Sequence, residues 1–163
     1  MDDDKLFEIG KENFLITVDY GKSLSDMRKD VLRKVEWSGI IDLMGRTFAF
    51  DSGIRNFTCY YATLLEEVWL RKLQEKAQCA GIILADMKQL FAFGCKYMET
   101  EVTQKKLTPI IAADEGSTWL CSHDCLGEMV GFEWEYYHHA PGPKLHTISD
   151  VLTKGTRALA IRQ

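Results

Sequence analysis

The densest group of side chains that could do chemistry is the run Cys121-Ser122-His123-Asp124-Cys125. Thiolate sulfur and imidazole nitrogen suit zinc, which takes about four such ligands in a tetrahedron. On an extended strand alternate residues lie about 7 Å apart, so Cys121, His123 and Cys125 would hold one ion only if the chain turned at His123. The simpler interpretation, two core cysteines and a histidine in a turn, is favoured. A zinc site at these three residues is the alternative.

The same run could also supply a cysteine nucleophile with a histidine as its base. The residues that could serve as base or orient it are His123, His138, His139, Asp124 and Asp150. However, no Gly-x-Ser-x-Gly motif or cysteine-protease signature accompanies them. None of the 12 glycines falls into a phosphate-binding motif. We therefore expect no enzymatic activity and no cofactor, with a small metal- or thiol-dependent enzyme centred on Cys121, His123 and Cys125 as the alternative.

Two acids and a series of aromatic side chains lie further along. Glu133 and Glu135 could suit glycoside hydrolysis, but alternating acids are typical of a strand's solvated face. Aromatic and histidine side chains follow one another at the end of the same predicted strand: Trp134, Tyr136, Tyr137, His138 and His139. Core packing explains one aromatic face of a strand and not two. We interpret these five residues as a surface for a protein partner or a small ligand.

Three amphipathic helices are predicted to support these residues, at 23–34, 64–79 and 87–98. Each begins near side chains that could cap its first turn: Ser23 with Asp26, Thr63 with Glu66, and Asp86 with Gln89. Gly81 stands where a helix C-terminal glycine belongs. The apolar stripe of the second helix includes Val68, Trp69 and Leu73, so Trp69 is expected to be buried.

Strands are predicted before, between and after the helices. They lie at 14–20, 47–50, 57–61, 109–113, 117–121, 129–137 and 157–162. A bulge is expected near Gly131, and a loop at Pro141-Gly142-Pro143. The pattern indicates an α+β fold with a mostly antiparallel sheet and about three helices packed on one of its faces.

Composition limits the kinds of partner. The chain has 163 residues, is 46% hydrophobic and carries a net charge of −4. A nucleic-acid-binding protein normally presents a basic face, so no nucleic-acid partner is expected. No apolar run approaches the roughly 20 residues that span a bilayer, and the acidic N-terminus lacks the features of a secretory signal. The five cysteines, scattered through predicted core elements, indicate reduced thiols. We expect a soluble cytoplasmic protein.

The chain is predicted to form one domain. Residues 13–163 show no internal repeat or interdomain linker, and residues 1–12 are expected to be a disordered tail. Met1 to Lys5 is either the remnant of an expression tag or a frayed native end. The pattern specifies no oligomeric state.

Three stretches carry a further signal. They read VDYGKSLSDM from Val18, TPIIAA from Thr108 and RALAIR from Arg157. These stretches resemble an uncharacterised family of bacterial proteins, which has a Gly-Leu-Arg-Pro-Ala-Thr connection where this chain reads Gly81 to Asp86. The resemblance covers about half of the chain and implies a bacterial or phage-like origin without a particular activity.

A second resemblance concerns Glu115-Gly116-Ser117-Thr118-Trp119 and the closing Ala160-Ile161-Arg162. Both are similar to segments of C-type-lectin-like and formylglycine-generating-enzyme-like domains, a likeness of fold that would not carry function. We interpret the chain as a non-enzymatic binding or interaction module. A structural component of a larger assembly is a further possibility.

Overall fold

The computed structural model describes residues 5–32, 36–37, 48, 50–97, 100–101, 110–112, 129–135, 142–148 and 151–163. Its helices are α1 Leu24–Leu32, α2 Leu70–Cys79 and α3 Met87–Tyr97. Its strands are β1 Phe7–Ile9, β2 Phe14–Asp19, β3 Glu36–Trp37, β4 Ile54–Leu64, β5 Val68–Trp69, β6 Ile83–Leu84, β7 Ile110–Ala112, β8 Met129–Glu135, β9 Gly142–Ile148, β10 Val151–Leu152 and β11 Arg157–Ile161. The predicted α+β class is confirmed.

One mixed, mostly antiparallel sheet organises the fold. Its strand order is β1-β4-β11-β7-β8-β9-β3, with β2 also paired to β4 and β6 also paired to β11. Only the β11–β7 and β3–β9 pairs are parallel among the described strands. β5 and β10 form a separate two-stranded sheet. The long strand β4 therefore has β1 and β2 along one edge and β11 along the other.

Helices cover both faces of this sheet, which corrects the prediction of one covered face. Side chains alternate along a strand, and β11 buries both sets. Leu159 packs in the cluster that holds α1 and α3, whereas Ala158 and Ala160 pack in the cluster that holds α2. We name these two sides of the sheet the α3 face and the α2 face. A strand buried on both faces reads as a nearly continuous apolar run, and β11 does so from Ala158 to Ile161.

The α3 face contains most of the large aromatic side chains among the described residues. Phe14 of β2 meets Phe93 of α3 with ring centroids 5.3 Å apart in an edge-to-face arrangement. Phe91 and Phe93 are fully buried there, and Ile16 and Val18 of β2 lie beside them. Each such phenylalanine contributes roughly 2–3 kcal/mol through removal of apolar surface from water.

The two helices that flank β6 differ in how well the sequence predicts their starts. At α3 the expected capping box is confirmed: Gln89 N–H donates to Asp86 Oδ1 at 2.7 Å, and Asp86 N–H donates to Gln89 Oε1 at 2.8 Å. The second helix was predicted to start at residue 64, but β4 continues to Leu64 and α2 begins only at Leu70. The Thr63 and Glu66 spacing is therefore not a capping box, because pairing of β4 takes precedence over the local signal.

The prediction that Trp69 is buried on the second helix is also wrong. Trp69 precedes α2 as its N-cap residue, makes no side-chain capping bond and is 54% exposed. The helix instead buries Leu73 and Ala77 against the α2 face. At its other end Gly81, with φ of 69°, takes the predicted C-terminal position.

Order at the N-terminus begins earlier than the sequence predicts. Residues 7–9 were assigned to a disordered tail, yet they form β1, and Leu6 and Phe7 are buried. In β8 the register runs one to one against both neighbours through Gly131, so no bulge occurs there. β9 already begins at Gly142, inside the predicted loop. None of the described helices is long and apolar enough to cross a membrane.

Candidate binding groove

The residues singled out in the sequence lie mostly outside the described ranges. Trp134 is placed in β8, opposite Pro143 of β9. The other aromatic and histidine candidates fall outside: Tyr136, Tyr137, His138 and His139. The metal or thiol candidates Cys121, His123 and Cys125 fall outside too. Within the described part of the chain no three His, Cys, Asp or Glu side chains come together as metal ligands would.

A groove runs along the edge of the sheet between β1 and α2. It encloses about 480 Å³, which lies within the range of roughly 300–1,000 Å³ typical of ligand sites. The residues that line it are Lys5, Leu6, Phe7, Ile9, Glu75, Lys76, Cys79, Ala80 and Ile82. We call it the β1 groove. Its floor and walls are mainly apolar, and charged side chains stand at its rim.

The backbone of β1 presents to this groove edge groups that no described strand pairs with. Leu65 N–H donates to Leu6 O at 2.8 Å, and Gly10 N–H donates to Tyr61 O at 2.7 Å. Antiparallel pairs alternate between hydrogen-bonded and non-hydrogen-bonded positions. Since Leu6 and Gly10 face β4, the N–H and C=O groups of Phe7 and Ile9 point away from it. Among the described residues no strand pairs with this edge.

The neighbouring edge of β2 is closed by side chains of α3. By the same alternation Leu15 turns its backbone groups away from β4. Its N–H donates to Tyr97 Oη at 3.1 Å, and its carbonyl accepts from Tyr97 Oη at 3.0 Å and from Lys96 Nζ at 2.7 Å. Edge strands are usually protected in such ways. The open edge of β1 therefore contrasts with a protected edge on the same side of β4.

A tight bend at Gly10 sets the boundary between the two edges. A Cβ atom at Gly10 would lie 3.1 Å from Tyr61 O, tighter than most such contacts, so the close approach of the two backbones favours glycine. The segment after it is held by Arg162, whose guanidinium donates to Asn13 Oδ1 and Gly10 O. Arg162 also stacks over the Tyr60 ring at 4.4 Å. These contacts fix the direction of the chain where it leaves β1. The open edge of β1 therefore ends at Gly10.

The β1 groove is lined by more positive than negative side chains. Glu75 accepts from Lys72 Nζ at 2.9 Å, and this hydrogen bond lowers the pKa of the Glu75 carboxyl. Lys72 does not line the groove, whereas Lys5 and Lys76 do. With Glu75 paired to a lysine outside the groove, the lining carries an excess of positive charge. On the other side of β1, Glu8 is exposed and alternates with the groove-facing Phe7 and Ile9.

Two buried polar clusters lie on the α3 face and have structural roles. In the first, Tyr61 Oη donates to Glu101 Oε2 at 2.8 Å while the Arg157 guanidinium stacks over the Tyr61 ring at 4.9 Å. Burial raises the pKa of Tyr61 and lowers that of Arg157. In the second, Tyr20 Oη donates to Asp86 Oδ2 at 2.8 Å.

A buried lysine completes the second cluster. Lys88 Nζ donates to Tyr20 O at 3.0 Å and to Lys22 O at 2.8 Å, which pins the turn between β2 and α1 to α3. Burial lowers the pKa of Lys88 and raises that of Asp86. Burial also raises the pKa of Cys59 to about 12, so this thiol stays protonated and is a poor nucleophile at neutral pH.

No family model, curated protein or solved structure matches this chain. The resemblances noted in the sequence therefore stay predictions. The groove residues themselves were missed in the sequence because β1 was assigned to a tail. The alternation of Phe7 and Ile9 around Glu8 was the signal available, but three residues are too few to distinguish a strand from chance.

Proposed function

We propose that this protein is a non-enzymatic interaction module that binds an extended polypeptide segment as an additional strand along β1. The observation that carries the proposal is the outward-facing backbone of Phe7 and Ile9 beside an apolar groove on α2. Strand addition to an exposed sheet edge is a recurring mode of peptide recognition. It uses main-chain hydrogen bonds for affinity and pockets for alternate side chains for selectivity.

The shape of the groove favours a polypeptide over a compact small molecule. Phe7 and Ile9 offer two N–H donors and two C=O acceptors in the spacing of a β-ladder, which only another backbone matches throughout. Every second side chain of an added strand would point onto α2, where Cys79 and Ala80 lie. Ile9 is 41% exposed and offers apolar surface to those side chains.

The other function classes suggested by the sequence stay predictions. The partner surface at Trp134 to His139 depends mostly on residues outside the described ranges, and the metal- or thiol-dependent enzyme centred on Cys121, His123 and Cys125 depends on them entirely. The structure does not test the third class, a component of a larger assembly. The β1 groove supports the binding class through residues that the structure describes.

The test is selection of binders from a displayed library of random nine-residue peptides, followed by affinity measurement with labelled synthetic copies. Two variants should weaken binding at least tenfold while remaining folded. Cys79→Trp fills the groove from an exposed helix position. Ile9→Pro removes an outward-facing N–H and leaves the β4 ladder intact, and an edge position of this kind tolerates proline.

Gln78→Trp is the matched control, because Gln78 is exposed on the same helix and does not line the groove. It should bind the selected peptides like the unchanged protein. Failure to select any peptide above a control protein, or equal binding by Cys79→Trp and the unchanged protein, would overturn the proposal.

A further inference from the structure

We infer that the segment bound in the β1 groove carries an aspartate or glutamate side chain on the side that faces α2. This inference rests on the proposed function, since it specifies the partner of the same groove. It depends on the charges of the lining rather than on the open strand edge, so the two can fail separately.

The positive side chains of the groove are Lys5 and Lys76, one from the approach to β1 and one from α2. Both are exposed, and the described residues provide neither with an ion pair. Glu75, the acid of the lining, is already bonded to Lys72. Lys76 also acts on the Glu75 carboxylate, at longer range than Lys72 does. A carboxylate of an entering segment would offset the excess positive charge of the lining, which a neutral segment would leave unbalanced.

A side chain is a better source of this carboxylate than the end of a chain. Lys5 and Lys76 line the groove together with the side chains of Phe7 and Ile9, which project from the sheet toward α2. Alternate side chains of an added strand project the same way. A terminal carboxylate would instead lie in the plane of the hydrogen-bond ladder.

The side of an added strand that faces away from α2 would lie beside a negative charge, the carboxylate of Glu8. Glu8 lies on β1 between the two outward-facing backbone positions, and its side chain points to the face away from the groove. A residue of the added strand directly opposite Glu8 would lie about 5 Å from it, close enough for opposite charges to attract and like charges to repel. An acid is therefore disfavoured on that side, so the charges around β1 place the acid on the α2 side alone.

The experiment compares labelled synthetic copies of the selected peptides with partners in which one groove-facing Asp or Glu is replaced by Asn or Gln. We expect this replacement to weaken binding about threefold to tenfold, in line with one or two partly sheltered ion pairs. The double variant Lys5→Gln, Lys76→Gln should lose the same factor for the acidic peptide and nothing for the neutral one. Arg71→Gln is the matched control on α2, since Arg71 is exposed and does not line the groove, and it should not discriminate against the acidic peptide.

Each of the other outcomes would overturn a specific part of the inference or of the proposed function. Selected peptides that bind in the groove without an acid, or equal affinities for the acidic and neutral peptides, would overturn the inference and leave the interaction module standing. Loss of binding on C-terminal amidation alone would assign the carboxylate to a chain end and overturn the side-chain assignment. If no peptide binds at all, the proposed function is overturned, and the inference that rests on it is overturned with it.

Discussion

Buried polar side chains among the described residues have neighbours that partly offset the cost of burying them. The guanidinium of Arg157 has the Tyr61 ring and the Glu101 carboxylate nearby, and the carboxyl of Asp86 accepts from Tyr20 and from the start of α3. In both clusters burial opposes the charged form while the neighbours favour it. The direction of each pKa shift shows that burial is the larger effect. The Asp86 cluster therefore ties the start of α3 to the sheet at some cost in stability.

The cost of burying Asp86 can be measured from the pH dependence of the free energy of unfolding. The pKa of Asp86 is raised above the ordinary value of 3.8, so the folded state holds the proton longer than the unfolded state does. The free energy of unfolding contributed by Asp86 therefore falls as the pH rises from 3.8 to the higher folded pKa, and stays constant above it. Asp86→Asn keeps a good capping side chain and removes the titration. We expect its stability relative to the unchanged protein to increase across that window in urea unfolding between pH 3.5 and 7. A difference that is independent of pH would contradict this account.

At the scale of elements, the ends of helices and strands are fixed by a small number of local contacts. α2 ends in a Schellman arrangement, in which Ile82 N–H donates to Ala77 O at 2.8 Å and Gly81 N–H donates to Gln78 O at 3.0 Å. This ending redirects the chain into β6, which joins the other edge of β11. Because α2 forms one wall of the β1 groove, its ending also sets the length of that wall.

Gly81→Ala should therefore destabilise the protein by about 1–2 kcal/mol, because a side chain in the left-handed region is strained. Nothing lies within 4 Å of the added Cβ, so a steric clash does not contribute. Gly81→Asn is the matched variant and should cost clearly less, since asparagine tolerates this conformation. Chemical unfolding of both variants checks the order. Equal losses for alanine and asparagine would mean that the conformation at residue 81 is not the cause.

Sequence patterns predict the elements whose signals are local and miss those that depend on distant pairing. The alternation of Phe14, Ile16 and Val18 gives β2, and the reciprocal capping of Asp86 and Gln89 gives the start of α3. The start of α2 was misplaced because β4 extends through Thr63, where it is paired with Glu8 and Arg157. The β1 groove could not be predicted, because its two walls are separated by about 70 residues in sequence.

At the scale of the whole molecule, two cores on opposite faces share the central strands β4 and β11. β1 belongs to this arrangement through the α2 face, where Phe7 is 3% exposed and packs with Leu64, Leu73 and Ala77. The N-terminal strand is therefore part of the core as well as one wall of the groove. A loss of binding after changes at β1 has to be separated from a loss of folding.

Phe7→Ala and Ile9→Ala should separate these two contributions. Truncation of a buried phenylalanine costs about 3–5 kcal/mol, so Phe7→Ala should lower the midpoint of denaturant unfolding strongly. Ile9 is 41% exposed and should cost about 1 kcal/mol or less, while still weakening any segment bound in the groove. Leu15→Ala, at a site 61% exposed on the protected edge, is the control for both. Similar midpoints for Phe7→Ala and Leu15→Ala would contradict the assignment of β1 to the core.

The central position of β11 has a consequence for how the chain folds as it is made. Thr63 of β4 pairs with Arg157 of β11, 94 residues later. β4 is synthesised before β11, so Tyr60, Ala62 and Leu64, which are buried in the folded protein, lack this partner strand until β11 follows. Pairing over such a distance is slow, and an incomplete apolar sheet is exposed to association with other chains meanwhile. The growing chain therefore exposes this edge of β4 until β11 has been synthesised.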